Sequence, residues 1–181
     1  MMNYLYKMKY RIKIALFCLL SLAFIGCDRV TKDLAKEHLK DKAPTSYLND
    51  TFRLQYAENT GAAMGLGDEL SKKASFWLLS MLPLAILLIV FLYTIKNAGK
   101  LSIIKMFCIS LIFAGGLGNI IDRILFDRVV TDFLNMGLGN IRTGIFNVAD
   151  VCVTSGAIGL LLFYRDKHQR PSSEVFQTSE V

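Results

Sequence analysis

The sequence predicts an all-α membrane protein with four transmembrane helices, a small extramembrane β-sheet between helices 1 and 2, and a surface helix or loop between helices 3 and 4. Hydrophobic residues make up 53% of the 181 residues, and the mean hydropathy is +0.41. The apolar residues form long blocks that are flanked by the charged residues, which are 20% of the chain. Since an ordinary soluble domain of this length is more polar, the blocks indicate membrane spans.

The first helix is predicted at about residues 12–32, although its uninterrupted apolar part runs only from Ile14 to Cys27. That part spans only about 21 Å, less than a hydrocarbon core of about 30 Å. Two interpretations follow. The segment is either the signal peptide of a membrane-anchored lipoprotein or binding module, cleaved before Cys27, or a helix that continues through Asp28, Thr31 and Lys32. We favour the continuous helix because Phe24 is a poor fit to a lipoprotein cleavage motif and three further spans follow.

The other three helices are predicted at about 74–95, 103–122 and 143–164. Pro83 lies within the second of these spans, where neighbouring helices can satisfy the carbonyl it frees. Lysine and arginine cluster before helix 1, between helices 2 and 3, and after helix 4. The positive-inside rule therefore predicts that both termini are cytoplasmic. Residues 1–169 form one integral membrane domain in this interpretation, and residues 170–181 form a disordered cytoplasmic tail.

The net charge of +6 does not indicate a nucleic-acid partner, because the basic residues flank apolar blocks. The four cysteines have neither zinc-ligand nor disulfide-framework spacing, so free thiols are predicted. The composition thus favours a membrane protein that needs no metal or other cofactor.

Two connections lie outside the membrane in this topology. In the first, Phe52, Leu54 and Tyr56 alternate with more polar residues, which predicts a half-buried strand, and a turn follows at residues 59–61. The second connection, about residues 123–142, contains Val130 and Phe133 among other apolar residues. That composition predicts a segment lying along the membrane surface.

Acidic residues occur at one level of the predicted bundle, near the outer ends of the helices. Asp28 ends helix 1, Asp122 ends helix 3 and Asp150 begins helix 4. Ionisable groups at that depth are costly and often functional. On helix 3, Asn119, Asp122 and Arg123 share one face, and small residues at Gly115 and Gly118 allow a neighbouring helix to approach closely.

The Asn-x-x-Asp spacing occurs again at Asn147 and Asp150, where Asn147 is a candidate N-cap. Asp132 adds a carboxylate on the connection between helices 3 and 4. With only His38 and His168 in the chain, no Ser/His/Asp or Cys/His arrangement is expected, and metal ligands are lacking. The remaining possibility is catalysis by a pair of carboxylates that share a proton. The residues alone do not decide between Asp122 and Asp132 as members of the pair.

The ordered motifs of the chain resemble those of the lipoprotein signal peptidase family, also called signal peptidase II, the membrane aspartic peptidases of bacteria. Each motif is weak singly, but the set is specific in its order over four spans. The motifs are Asp-Arg-Val-Thr-Lys at 28–32, Asn-Thr-Gly-Ala-Ala-Met-Gly at 59–65, Gly-Gly-Leu-Gly-Asn-Ile-Ile-Asp-Arg at 115–123, Val-Thr-Asp-Phe at 130–133 and Phe-Asn-Val-Ala-Asp at 146–150.

The resemblance implies a peptidase that cleaves bacterial prolipoproteins before the diacylglyceryl-modified cysteine, at the outer face of the cytoplasmic membrane. It implies that the substrates are lipid-modified prolipoprotein signal peptides in contact with membrane lipid, and we expect a monomer. The catalytic dyad carries over onto Asp132 and Asp150. The supporting residues that it implies are Asp28 and Lys32, which brace helix 1; Asn59 and Gly61 in a substrate cradle; Asn119 and Asn147 as hydrogen-bonding partners; Asp122 holding Arg123; and Ala149.

Three positions depart from the family pattern. Arg29 stands where glutamine is usual, Met64 where an aromatic residue is common, and Thr131 where a second valine is usual. None of these departures removes a proposed catalytic carboxylate, so they bear on substrate contacts rather than on the reaction.

Overall fold

The computed structural model describes residues 2–61, 67 and 69–163, with side chains from Met8 onward. Helices account for most of this part of the chain, and one four-stranded sheet accompanies them. The elements are helix α1 (Met2–Leu39), strands β1 (Thr45–Tyr47) and β2 (Phe52–Asn59), helices α2 (Lys72–Phe76), α3 (Leu82–Asn97) and α4 (Ile103–Leu125), strands β3 (Val130–Leu138) and β4 (Ile141–Arg142), and helix α5 (Val148–Leu162).

Helix α1 extends beyond both ends of the predicted range 12–32. It passes through Cys27 without a break, and the polar residues that follow Cys27 are satisfied locally or by neighbouring helices. Thr31 donates its hydroxyl to the carbonyl oxygens of Cys27 and Asp28 at 2.8 and 2.9 Å. Arg29 and Asp33 form an ion pair one turn apart. Polar residues therefore continue the helix instead of ending it.

The second predicted helix is observed as three consecutive helical parts over residues 72–97. Ser71 caps α2 by accepting a hydrogen bond from the Ala74 backbone N–H. A π-helical turn, Trp77–Met81, then joins α2 to α3. Pro83 lies in the first turn of α3, directly after the π-helical turn. The span expected at 74–95 is thus present with a local change of helical pitch before the proline.

By length and apolar composition, three helices in the described part of the chain can cross a membrane: Met8–Leu39, Lys72–Asn97 and Ile103–Leu125. Helix α5 is apolar but shorter, reaching about 23 Å. The predicted fourth span ends at residue 164, which lies outside the described residues, as do the proposed tail and Met64. Whether α5 spans the bilayer stays a prediction.

Helix α4 is central to the helical part and packs against α1, α3 and α5. Phe17 of α1 is 1% exposed and contacts Phe91 of α3 and Phe113 of α4, with ring centroids 6.1 and 5.7 Å apart. Close packing against α5 depends on glycine: a Cβ at Gly115 would collide with the Ala149 carbonyl oxygen. The prediction that small residues allow close helix approach is confirmed.

The sheet is antiparallel with the strand order β1-β2-β3-β4. The strand predicted at Phe52 is confirmed as β2. The surface helix or loop predicted for residues 123–142 is wrong, because most of that connection forms β3 and β4. Val130 and Thr131 are β-branched and suit a strand. In addition, β3 pairs with the edge of β2 and satisfies its backbone N–H and carbonyl groups, with Leu54 opposite Leu134 and Ala57 opposite Asp132.

Helix α5 starts at Val148, five residues after the predicted start at 143. The intervening residues run beside β3 in an extended path, and Phe146 forms a bridge to Leu134. Asn147 caps the helix as predicted. Its side-chain oxygen accepts the Asp150 backbone N–H at 3.0 Å, while Asp150 Oδ2 accepts the Asn147 backbone N–H at 3.1 Å. This reciprocal capping box fixes where the helix begins.

Candidate active site

Two aspartates from different elements lie on the wall of one cavity. Asp132 comes from β3 and is 2% exposed, and Asp150 comes from the first turn of α5. The sheet positions the first residue, and the capping box positions the second. The cavity has a volume of about 580 Å³ and is lined by both carboxylates. Asp122 is not among its lining residues.

Three asparagines hold the two carboxylates. Asn59 Nδ2 donates to Asp132 Oδ2 at 3.0 Å, and Asn119 Nδ2 donates to Asp150 Oδ1 at 2.8 Å. Asn147 reaches both aspartates: its Nδ2 lies 2.6 Å from Asp132 Oδ1, and its backbone N–H donates to Asp150. Asn147 is fully buried. A single buried residue therefore fixes the relative positions of the two aspartates.

A buried ion cluster lies next to these asparagines. Lys32 is fully buried, and its Nζ lies 2.7 Å from Asp28 Oδ2 and 2.9 Å from Asp122 Oδ2. The same ammonium donates to Asn119 Oδ1 at 2.9 Å. Because an ammonium group only donates, it turns the Asn119 oxygen toward itself and leaves the Asn119 NH₂ group for Asp150. Asn147 Nδ2 donates to the same Asn119 oxygen at 3.1 Å, so Lys32 and Asn147 together orient a hydrogen-bond donor of the site.

Helix α1 is tied to helix α5 through Asp28, whose Oδ1 accepts the Ala149 backbone N–H at 2.8 Å. Since Ala149 directly precedes Asp150, this contact holds Asp28 close to the two aspartates of the cavity. Arg29, a departure from the family pattern, pairs with Asp122 at 2.8 Å and lies over the ring of Phe126. The arginine thereby joins α1 to the end of α4.

Arg123 lines the cavity from α4. Its Nη2 donates to the Gly61 carbonyl oxygen at 2.8 Å and its Nη1 to that of Asn119 at 3.4 Å. The expected hold of Asp122 on Arg123 is not the contact found, since Asp122 pairs with Lys32 and Arg29. Asn59 Oδ1 accepts the Gly61 backbone N–H at 3.0 Å, which closes the turn beside the site.

The environment of Asp132 changes its acidity. Burial, together with the nearby charge of Asp150, raises the pKa of Asp132 from 3.8 to about 6, against the opposing effect of the hydrogen bonds from Asn59 and Asn147. A carboxyl group with a raised pKa next to a second carboxylate can hold a proton that an isolated aspartate would release.

The remainder of the cavity wall is mostly apolar. Leu79 and Pro83 line it on one side, and Ile120, Val130 and Val153 contribute elsewhere. In the described part of the chain, no three His, Cys, Asp or Glu residues are placed to hold a metal ion. All four cysteines are free thiols, as predicted. The arrangement suits acid–base chemistry on a substrate that has a substantial apolar part.

The family model described as signal peptidase (SPase) II matches residues 20–165. The chain belongs to the signal peptidase II family. The match begins before Cys27 and includes every motif on which the resemblance depends. Membership in this family indicates a peptidase, and the long apolar helices indicate a membrane protein.

Curated relatives and solved structures agree with this assignment. A lipoprotein signal peptidase of Chlorobaculum parvum is 38% identical over 164 residues, covering 86% of this chain and 98% of the relative. One from Clostridium tetani is 39% identical and covers 75% of this chain and 83% of the relative. A solved bacterial membrane enzyme is 30% identical, with a TM-score of 0.73 and coverage of 90% of this chain and 95% of its own.

The sequence did not reveal every residue around the cavity. Residues 143–145 line it through an extended segment, and Leu79 and Pro83 line it from the second helix. Nothing in their local pattern distinguishes them from ordinary loop or helix residues. Thr131 is buried opposite Glu58 in the sheet, and nothing in the structure explains its departure from valine.

Proposed function

We propose that this chain is an aspartic endopeptidase that removes the signal peptide from bacterial prolipoproteins by cleaving before the diacylglyceryl-modified cysteine. The observation that carries the proposal is the placement of Asp132 and Asp150 on one cavity wall, both held by the buried Asn147. Family membership supports the peptidase activity, and the relatives named lipoprotein signal peptidase support the substrate class.

The reaction needs one ionised and one protonated carboxyl group. The ionised aspartate takes a proton from a water molecule, whose oxygen bonds to the scissile carbonyl carbon, while the protonated aspartate gives its proton to the carbonyl oxygen. Collapse of the resulting diol re-forms the carbonyl group and breaks the C–N bond. One diol hydroxyl returns its proton to the second aspartate, and the departing nitrogen takes the proton held by the first. The raised pKa of Asp132 supports its role as the carrier of the shared proton.

The neighbouring residues have distinct proposed roles. Asn119 and Asn147 hold the carboxylates in place, and Lys32 sets the orientation of Asn119. Asp122 and Asp28 balance the charge of Lys32. Arg123, Asn59 and Gly61 form the polar rim of the cavity beside Asp132, and Ala149 joins α5 to Asp28.

The membrane arrangement completes the proposal. We place the chain in the bacterial cytoplasmic membrane as a monomer, with both termini in the cytoplasm and the aspartates at the outer face. The substrate is a lipid-modified signal peptide whose acyl chains stay in the bilayer, since each buried methylene contributes about 0.8 kcal/mol. The reaction requires no metal, no other cofactor and no nucleic-acid partner.

The deciding experiment is cleavage of a diacylglyceryl-modified precursor peptide by the purified protein, with the products identified by mass spectrometry. We expect a single cut immediately before the modified cysteine, unaffected by a chelator. Cleavage elsewhere, or none at all, would contradict the proposal. The intact mass of the purified chain tests the alternative of a lipoprotein anchored at Cys27, since a processed chain would begin at that residue.

A further inference from the structure

The extended segment between β4 and α5 departs from regular pairing beside the aspartates. Thr143 donates its backbone N–H to the Met136 carbonyl oxygen at 2.7 Å, and Phe146 donates to that of Leu134 at 2.8 Å. Three steps along this segment thus correspond to two steps along β3. One residue is extra, which is the definition of a β-bulge. Bulges of this kind interrupt pairing and are common next to active sites.

The bulge leaves Gly144 and Ile145 with unpaired backbone groups. Within the part of the chain that the structure describes, neither residue forms a hydrogen bond through its N–H or carbonyl group. Both residues line the cavity that contains Asp132 and Asp150. Thr143 and Phe146 both direct their N–H groups to β3, so the sheet does not use the backbone groups of the two residues between them.

The position of this edge relative to the aspartates is fixed on both sides. Phe146 pairs with Leu134, two residues from Asp132. The next residue, Asn147, hydrogen-bonds both carboxylates. Gly144 and Ile145 therefore precede, in the chain, the residues that pair with β3 and hold the dyad, and they line the same cavity as both aspartates.

We infer that Gly144 and Ile145 form a backbone-recognition subsite, to which the substrate binds as an additional β-strand through its peptide groups on either side of the scissile bond. The inference rests on the proposed function and adds how the peptide is held. Strand addition recognises main-chain N–H and carbonyl groups, so it accepts varied side chains. The apolar wall formed by Leu79, Pro83 and Val153 then contacts the side chains of the bound peptide.

The experiment is an amide-to-ester scan of the lipid-modified precursor peptide. Each backbone N–H within three residues of the scissile bond is replaced singly by oxygen, and the scissile linkage itself is left as an amide. The subsite offers only the carbonyl groups of Gly144 and Ile145 as acceptors. Strand addition therefore predicts that esters at one or two positions lower kcat/KM by about 5-fold each, as expected for the loss of one hydrogen bond, and that esters elsewhere change it by less than about 2-fold.

Two variants test the same subsite from the side of the protein. Gly144→Ala adds a Cβ and keeps the backbone N–H, whereas Gly144→Pro also removes that N–H. We expect the kcat/KM of Gly144→Pro to be about 5-fold lower than that of Gly144→Ala, and the two variants to have similar melting temperatures. If the proline variant does not fold, the ester scan decides alone.

The possible outcomes separate the two proposals. Cleavage of the parent peptide with loss confined to one or two ester positions supports the subsite. Cleavage of the parent peptide with a flat pattern, or with loss at more than two positions, overturns the subsite and leaves the aspartic peptidase assignment intact. A parent peptide that is not cleaved overturns the proposed function and the subsite together.

Discussion

The side-chain Nδ2 of Asn147 donates a hydrogen bond to Asp132 Oδ1 at a distance of 2.6 Å. This bond joins the N-cap of α5 to strand β3. The same residue begins the helix that carries Asp150. Helix capping and placement of the aspartates are therefore one structural feature, and any change that moves the start of α5 also changes the distance between the two carboxyl groups.

Asp132→Asn and Asp150→Asn should each lower the cleavage rate of the lipid-modified peptide by about 10²–10⁴-fold, because one carboxyl group cannot act as both acid and base. Asp127→Asn is the matched control: it removes an exposed carboxylate on the same connection, paired with Lys72 at 2.7 Å. The control should keep near wild-type turnover. Near wild-type turnover in either dyad variant would refute the assignment. Melting temperatures must show that an inactive variant is folded before its loss of activity supports the assignment.

The stability of the protein should depend on pH through Asp132. Its pKa is raised to about 6 in the folded chain from 3.8, so the folded state binds more protons than the unfolded state between these values. The free energy of unfolding therefore falls as the pH rises through this window, and the loss is complete above it.

The measurement is the melting temperature of the wild type minus that of Asp132→Asn, recorded from pH 4 to 8 in one detergent. Subtraction removes the titration of groups shared by both proteins. We expect the difference to fall from about pH 4 to 6 and then level off. A difference that is constant or rises over this range would contradict the raised pKa.

Lys32→Met should be strongly destabilising, by about 3–5 kcal/mol, because it leaves two buried carboxylates without their shared ammonium group. It should also lower activity, since the Asn119 oxygen loses one of its two donors and keeps only Asn147 Nδ2 at 3.1 Å. The melting temperature and kcat report these two effects separately.

The double variant Asp28→Asn/Lys32→Met tests the cause. Removing one of the two negative charges should recover part of the lost stability, while the asparagine oxygen can still accept the Ala149 N–H. A double variant less stable than Lys32→Met alone would show that charge balance is not what holds this cluster.

Gly115→Ala should lower both stability and activity. Its Cβ would meet the Ala149 carbonyl oxygen and lie 2.9 Å from Val153 Cγ2, so α5 must move away from α4 and take Asp150 with it. We expect a loss of about 1–3 kcal/mol.

Gly26→Ala serves as the comparison, because a Cβ there has no atom within 4 Å. Alanine is also favoured over glycine within a helix by about 1 kcal/mol. This variant should be neutral or slightly stabilised, with unchanged cleavage. Equal effects of the two alanine substitutions would show that close packing of α4 and α5 does not position Asp150.

Recognition of the substrate should depend on the lipid attached to its cysteine. One precursor peptide is assayed with and without its diacylglyceryl group. Because two acyl chains contribute far more binding free energy than a few peptide contacts, we expect kcat/KM to fall by more than about 100-fold without them. Equal rates for the two peptides would rule out lipid recognition and leave the aspartic mechanism untouched.

The sequence by itself determined the features that depend on local pattern. Long apolar blocks predicted the membrane helices, the alternation around Leu54 predicted β2, and the Asn-x-x-Asp spacing predicted the cap at Asn147. These features are local because helix and strand periodicities and capping contacts involve residues close together in the chain. The ordered motifs likewise identified the family.

Tertiary structure decided which distant groups meet. Residues 130–138 form a strand instead of a surface helix because the edge of β2 requires a hydrogen-bonding partner. The local sequence does not predict which segment pairs with β2. Asp122 and Asp132 looked alike in the sequence. The fold buries Asp122 against Lys32 and Arg29 and places Asp132 on the cavity wall with Asp150. A carboxylate's surroundings are set by residues far away in the chain, so only the packed structure separates the two aspartates.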